Sequence, residues 1–160
     1  MKNSTDPAVP SLIDVYPYRI TEHGAEYLLL RRSEDKIYAG QWRMVGGKVN
    51  QNEPAWKAAL RELREETGII PVKFWALPSV NTFYEAKTDR IHHIPAFAAE
   101  VDAKDAEVTL NAEHTDYRWE KCGAACNLVR WPEQQRLISL ADRLINSSQI
   151  LPDWIINQQI

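Results

Sequence analysis

The stretch GGKVNQNEPAWKAALRELREETGI, from Gly46 to Ile69, joins a glycine pair and a polar loop to a helical pattern. The pattern predicts a helix from about Pro54 to Thr67, with Gly68 ending it in the left-handed conformation that glycine tolerates. At 3.6 residues per turn, the apolar residues of this helix gather on one side: Trp56, Ala59, Leu60 and Leu63. That side is expected to pack on the core.

Three glutamates lie beside this apolar face, within an arc of roughly 100°. They are Glu62, Glu65 and Glu66, and they crowd the last turns of the helix. Like charges one turn apart destabilise a helix, and its C-terminal end favours cations. A divalent metal bound by the carboxylates removes both costs, and Mg²⁺ prefers such oxygen ligands. The alternative is an exposed, solvated helix face.

The spacing of the whole stretch resembles the Nudix box, G-x5-E-x7-R-E-U-x-E-E-x-G-U, in which U is an aliphatic residue. Every specified position agrees: Gly47, Glu53, Arg61, Glu62, Leu63, Glu65, Glu66, Gly68 and Ile69. The match covers about a seventh of the chain.

The resemblance implies an α/β (α+β) fold, in which a mixed sheet lies between helices and a loop-helix-loop carries the site. It also implies hydrolysis, dependent on Mg²⁺ or Mn²⁺, of a nucleoside diphosphate linked to another group. By position, Glu62, Glu65 and Glu66 would bind the metal, and in such enzymes the Gly47 carbonyl joins them. Arg61 would orient a box glutamate, and Glu53 would brace the loop. Either Glu62 or a carboxylate outside the box would accept the proton from water.

Further candidates lie outside the box. Glu113, in a loop ahead of a predicted strand, is the expected additional metal ligand or base, and its rivals are Glu107, Asp116 and Glu120. Arg31 and Arg32 end a predicted strand, where one guanidinium could bind phosphate; side chains alternate along a strand, so at most one of the two should face the site.

Two aromatic residues, Trp42 and Tyr84, are candidates for stacking on a base, although aromatic residues are also common in cores. His92 and His93 would point to opposite faces of a strand, so both are not expected to bind one metal. Cys122 and Cys126 are interpreted as small hydrophobic residues, since zinc would need two more ligands.

Short pieces of sequence outside the box bear on the substrate. Short pieces outside the box, LLLRR, WRMVGGKV and EH followed by Y-x-W, resemble bacterial dATP pyrophosphohydrolases that also cleave dihydroneopterin triphosphate. They favour a nucleoside triphosphate. Dinucleoside polyphosphates, ADP-ribose and nucleotide sugars stay open, as does a Nudix domain that binds nucleotides without catalysis.

The bulk composition limits the partners. A chain of 160 residues with a net charge of −3 and pI near 5.8 does not favour a nucleic-acid polymer or an anionic membrane. Two cysteines cannot form a disulfide framework, and no signal peptide or apolar stretch of about 18 residues is evident. We expect a cytoplasmic enzyme for a small nucleotide, monomeric or homodimeric.

The rest of the chain is predicted to form one domain, 1–160, with 1–10 as a loose lead-in. Strands are predicted at 11–20 and 25–32 around a His23-Gly24 turn, at 41–49 with a break at Gly46-Gly47, and at 72–86, 91–101 and 115–121. Pro95 suggests an edge strand or an irregularity. The last predicted element is a helix at 132–148, with one apolar stripe.

Overall fold

The computed structural model describes residues 9–158, so most of the predicted lead-in, residues 1–8, lies outside the described residues. The strands are β1 (Leu12–Thr21), β2 (Gly24–Arg32), β3 (Trp42–Arg43), β4 (Val45–Lys48), β5 (Lys73–Glu85), β6 (Arg90–Val101) and β7 (His114–Lys121). The α-helices are α1 (Ala55–Thr67), α2 (Cys122–Leu128) and α3 (Pro132–Asn146). Two 3₁₀ turns span Ala103–Asp105 and Pro152–Trp154.

The strands form one mixed sheet in the order β3-β2-β1-β6-β5, with β4 added to β1 and β7 added to β2. β1 and β6 are parallel, and every other pair is antiparallel. β1 changes partner along its length. Its first half pairs with β4, from Leu12 opposite Lys48 to Val15 opposite Val45, and its second half pairs with β2. The central strand therefore connects the glycine turn before α1 to the rest of the sheet.

Helices cover both faces of the sheet, as the alternation along β1 requires. Ile13 and Val15 join the cluster under α1, whereas Tyr16 and Tyr18 join the cluster under α2 and α3. Leu63 of α1 is fully buried and stabilises the fold by about 1.5–3 kcal/mol. The α/β sandwich expected from the sequence is confirmed.

Most predicted elements are confirmed, including α1 and the left-handed Gly68 with φ of 75°. α3 begins at Pro132 as predicted and ends two residues early, at Asn146. The helix α2 was not predicted, because seven residues that include Gly123 carry too short an apolar pattern.

The predicted strand break at Gly46-Gly47 is wrong, because β4 continues through both glycines to Lys48. The glycines pair with Asp14 and Ile13 of β1, and this pairing holds them in the sheet.

The expectation for Pro95 is confirmed. β6 is internal in the strand order, but β1 pairs with it only from Ala96 to Val101, so Pro95 lies on a locally unpaired edge beside an irregular β5–β6 register. Pro95 lies opposite Val80, where the β5–β6 register resumes after a shift, and pairing of β6 with β1 begins only at Ala96. The proline therefore stands outside the ladder with β1, where its missing N–H leaves no gap.

Candidate active site and metal centre

Arg61 organises the acidic side of α1. Its Nε and Nη2 donate to the two carboxylate oxygens of Glu53, at 2.9 and 3.0 Å. Its Nη1 donates to Glu62 at 2.8 Å and to Glu65 at 3.3 Å, and Nη2 also donates to the Lys48 carbonyl at 2.8 Å. One guanidinium thus joins the loop after β4 to two glutamates of the helix, and the planar fork of arginine suits this geometry.

Glu53 completes the loop. Besides the two bonds from Arg61, one of its oxygens accepts the Asn50 N–H at 3.0 Å. The Arg61 bonds are the main reason that the pKa of Glu53 lies below its ordinary value. The carboxylate is therefore ionised and holds the turn before α1 against the helix.

Gly47 has no room for a side chain. A Cβ at this position would lie 2.6 Å from both Cγ and Oε1 of Glu62, closer than non-bonded atoms approach. The carboxylate of Glu62 therefore lies directly over the backbone of β4. Glu62 is also partly withdrawn from water, and burial raises its pKa against the opposing effect of Arg61.

Glu66 is the buried member of the helix acids, with only 2% of its surface exposed. Its Oε2 is fully buried and has no hydrogen-bond partner among the residues that the structure describes. Burial, followed by a hydrogen bond with Glu113 and the charges of Glu62 and Glu113, raises the pKa of Glu66 to about 9. A backbone hydrogen bond from Gly46 opposes the shift. A carboxylate in this position is costly unless a cation neutralises it.

The start of β7 brings Glu113 and His114 next to Glu66 of α1. Their loop is held by the Ser33 N–H, which donates to the Glu113 carbonyl at 2.9 Å, and by Asn111, whose side chain accepts the Glu113 N–H at 3.1 Å. One ligand atom each of Glu66, Glu113 and His114 lies within 4.8 Å of the other two. Glu66 therefore shares one small polar site with two residues that lie far from it in the sequence.

His114 was missed by the sequence analysis. It is the first residue of β7, 6% exposed, and its Nδ1 is buried with no hydrogen-bond partner within residues 9–158. Burial, aided by the charge of Arg32 and opposed by Glu113, lowers the pKa of His114 to about 4, so the ring is neutral. The signal that could have found it is its position beside Glu113 in the quoted EH pair.

The two strand-end arginines differ in position. Arg32 is the one near the acids: its Nη1 lies 3.6 Å from Oε2 of Glu113, and its Nε donates to the Ile37 carbonyl. Arg31 instead contacts the following loop, through Glu34 at 3.5 Å and the Gly40 carbonyl at 3.4 Å. The expectation that at most one of the two faces the site, and that it binds phosphate, stays a prediction.

The aromatic candidates lie in different surroundings. Trp42 is half-buried against the core under α2 and α3, and Arg118 lies 5.8 Å above its ring. Tyr84 is exposed near the turn of the β5–β6 hairpin, where its hydroxyl donates to Asp89. A role of either ring in binding a base stays a prediction.

The remaining candidates lie outside the cluster of Glu66, Glu113 and His114. Glu107 and Asp116 are exposed, and Glu120 pairs with Arg118 at 2.8 Å. His92 stacks on Phe83, and its neighbour His93 is exposed and lies beside Thr82. Cys122 and Cys126 are free and half-buried against the core.

A second buried polar group lies on the opposite face of the sheet. Oδ2 of Asp14 accepts hydrogen bonds from Asn81 at 2.8 Å, Gln134 at 3.4 Å and Tyr16 at 3.3 Å. Burial raises the pKa of Asp14, against these bonds and the charge of Arg43. No pattern in the sequence indicated this network, since its members come from three distant elements.

The donor set beneath α1 suits a divalent ion. Glu66 and Glu113 bring carboxylate oxygens together, the ligands that Mg²⁺ and Mn²⁺ take. Glu62 and Glu65 are paired with Arg61 and lie outside this group of ligand atoms. The buried Oε2 of Glu66 and Nδ1 of His114 both lack hydrogen-bond partners among residues 9–158, and leaving a buried polar atom unpaired costs about 1–3 kcal/mol. A bound cation would satisfy the carboxylate, so the residues present fit the ion.

No helix within the described part of the chain is long and apolar enough to cross a bilayer.

A family model described as the NUDIX domain matches residues 13–141, which include α1 and all of the sheet except Leu12. The chain is similar to the nucleoside triphosphatase NudI of Enterobacter sp. (strain 638), with 32% identity over 108 residues, 62% of this chain and 76% of that protein.

Solved structures agree on the fold. A MutT protein from Methanosarcina mazei Go1 superposes with a TM-score of 0.62 and 30% identity, covering 88% of this chain and 97% of that one. The C. elegans Ap4A hydrolase superposes with a TM-score of 0.69, covering 85% of this chain and 98% of that one. At 21% identity, the second likeness concerns the fold alone.

Proposed function

Because the chain belongs to the Nudix hydrolase family, we propose that it is an Mg²⁺- or Mn²⁺-dependent pyrophosphohydrolase of a nucleoside triphosphate. Water attacks phosphorus and cleaves a phosphoanhydride bond. The observation that carries the proposal is Glu66, a buried acid with an unpartnered oxygen beside Glu113, on a helix whose other acids are oriented by Arg61. Burying a carboxylate is unfavourable unless a positive charge compensates it, and a bound cation would supply that charge.

The proposed metal ligands are Glu62, Glu65, Glu66, Glu113 and the Gly47 carbonyl. A divalent ion bound by them supplies charge neutralisation at the phosphate oxygens and lowers the pKa of bound water. Glu66, whose pKa is raised mainly by burial and by Glu113, would hold the ion as a carboxylate, because a positive charge nearby would favour its ionised form.

The other box residues have positioning roles in this proposal. Arg61 sets the orientation of Glu62, and Glu53 holds Arg61 and the loop together. Arg32 lies beside Glu113 and is the better placed of the two strand-end arginines to meet a substrate phosphate. Trp42 and Tyr84 remain candidates for contact with the base.

The choice of substrate rests on the relatives. The NudI protein, matched over three quarters of its length, is described as a nucleoside triphosphatase, which supports a triphosphate here. Likeness to the Ap4A hydrolase is likeness in fold at 21% identity, so it favours dinucleoside polyphosphates less.

The test is a substrate panel. The purified protein is incubated with Mg²⁺ and, separately, with ribo- and deoxyribonucleoside triphosphates, a dinucleoside polyphosphate, ADP-ribose and a nucleotide sugar, and the products are separated by ion-exchange chromatography. We expect pyrophosphate and a nucleoside monophosphate from a triphosphate, with Glu66→Gln inactive on the same panel. Tight nucleotide binding without turnover by either protein would instead identify a nucleotide sensor.

A further inference from the structure

The acid pair of the proposed metal site has a nitrogen donor beside it. We propose that the imidazole of His114 is a ligand of the ion held by Glu66 and Glu113, and that it shifts the preference of the site from Mg²⁺ towards Mn²⁺ and Co²⁺. This inference rests on the proposed function, because it concerns the same site. It adds a residue outside the box and a selectivity that carboxylates alone do not supply.

Geometry is the first support. A ligand atom of His114 lies within 4.8 Å of a carboxylate oxygen of Glu66 and of one of Glu113. An ion bound at about 2.0–2.3 Å from each donor requires donors spaced no more than about 4.6 Å apart, so the three atoms need only a small adjustment. Glu113 precedes β7 and His114 begins it, so strand alternation does not force the two side chains apart.

The second support is that two buried atoms lack partners in the same place. Nδ1 of His114 and Oε2 of Glu66 are the buried side-chain atoms without hydrogen bonds in the described part of the chain. Buried polar atoms are nearly always satisfied, so an unpaired nitrogen and an unpaired oxygen on two residues of the same cluster indicate a shared missing partner. A cation accepts lone pairs from both.

The third support is rigidity. His114 donates its backbone N–H to the Asn111 carbonyl at 3.3 Å, and Ser33 Oγ donates to the Ala112 carbonyl at 2.8 Å. His114 also pairs with Arg32 at the point where the β2–β7 register shifts. These bonds hold the backbone beside the ring in place. A ligand that is already positioned before the metal binds is expected to be held in this way.

Ligand chemistry then gives the direction of the effect. Mg²⁺ takes oxygen ligands almost alone, whereas Mn²⁺ and especially Co²⁺ accept imidazole nitrogen. A site with His114 beside two carboxylates should therefore bind Co²⁺ and Mn²⁺ more tightly, relative to Mg²⁺, than the same site with oxygen in place of nitrogen.

The test measures binding of the metals alone to the full chain. The His114→Asn variant replaces the nitrogen by an amide oxygen at similar reach. Dissociation constants for Co²⁺, Mn²⁺ and Mg²⁺ are obtained by calorimetry, with the Co²⁺ absorption band as a second signal. We expect the variant to bind Co²⁺ at least about tenfold more weakly, while Mg²⁺ binding changes by less than about threefold. His93→Asn, which alters an exposed strand histidine, controls for ions held elsewhere.

The outcomes separate this inference from the proposed function. Unchanged Co²⁺ affinity in His114→Asn, or an equal loss for all three ions, overturns the nitrogen ligand. If Glu66→Gln still abolishes ion binding in those cases, the proposed metal site stands. If the unaltered protein binds none of the ions, both fail.

A measurement on the unaltered protein covers the case in which His114→Asn does not fold. Pulsed electron paramagnetic resonance of bound Mn²⁺ should show coupling to a directly bound imidazole ¹⁴N. Absence of that coupling contradicts the proposal, whatever the variant does.

Discussion

The Nε and Nη2 atoms of Arg61 donate in parallel to the two carboxylate oxygens of Glu53, at 2.9 and 3.0 Å. This pair joins the loop after β4 to the middle of α1, and the remaining donor of the same guanidinium reaches Glu62 and Glu65. The orientation of the helix acids thus depends on a side chain that needs no contact with substrate.

Replacing this guanidinium by a single ammonium should reduce catalysis with little effect on folding. In Arg61→Lys the charge remains, but the two parallel bonds to Glu53 and the bond to Glu62 cannot form together. We expect kcat/KM to fall by about 10- to 100-fold, with a small change in Tm because the lysine keeps a positive charge beside Glu53 and Glu62. The matched control is Arg64→Lys, an exposed arginine on the same helix. Activity near that of the unaltered protein would show that Glu62 does not need Arg61.

A methyl group at Gly47 should displace Glu62. The added Cβ would lie 2.6 Å from two atoms of the Glu62 side chain, so the carboxylate must move away from the glycine backbone. We expect Gly47→Ala to lower kcat by at least about tenfold, since a shift of about 1 Å at a catalytic group can cost about 100-fold.

Gly123→Ala is the control for that change, because no atom of the described residues lies within 4 Å of a Cβ at position 123 of α2. It should keep full activity and leave the fold intact. Equal activity of the two variants would remove Glu62 from the proposed site.

Neutralising Glu66 should remove both catalysis and the response to metal. Glu66→Gln keeps the shape of the side chain but removes an anionic ligand, so we expect kcat to fall by at least about 100-fold with the fold intact. Mg²⁺ at about 100 times its Kd should stabilise the unaltered protein by about 2.7 kcal/mol, seen as a rise in Tm over the protein in EDTA, and the variant much less.

Glu107→Gln is the comparison for Glu66→Gln, since Glu107 is an exposed acid that the sequence analysis offered as a rival ligand. It should retain both activity and the rise in Tm. A variant of Glu66 that still shows the full rise would mean that the ion binds elsewhere.

Asp14 should make stability depend on pH. Burial raises its pKa above 3.8, against the hydrogen bonds from Asn81, Gln134 and Tyr16 and the charge of Arg43. The folded state therefore holds this proton more tightly than the unfolded state does. Its contribution to stability is complete below a pH of about 3.8 and is lost as the pH rises through the folded-state pKa.

The measurement is urea unfolding of Asp14→Asn beside the unaltered protein across that pH range. The difference in the free energy of unfolding should move in favour of the variant as the pH rises, because the amide has no proton to lose. Asp35→Asn, which alters an exposed acid in the loop after β2, controls for loss of one negative charge. A constant difference at all pH values would show that Asp14 does not titrate in this way.

The elements that the sequence predicted well are those whose residue pattern is contained within one short segment. The helix at Pro54 to Thr67 is readable because its apolar spacing, its charged arc and Gly68 are all contained within fifteen residues. The strands β1 and β2 are readable for the same reason, as apolar runs around a short turn. The short helix α2 was not, since its seven residues carry too short an apolar pattern.

By itself, the sequence determined the family, the sheet between helices and the acids of α1, because each follows from spacing along a short segment. Only the tertiary structure decided that Glu66 is the buried acid, that Gly47 lies beneath Glu62, and that Glu113 and His114 meet Glu66. Those relations join β4, α1 and β7 across the fold, and they depend on strand order and register. Such distances are set by the packing of whole elements, which no local pattern of residues encodes.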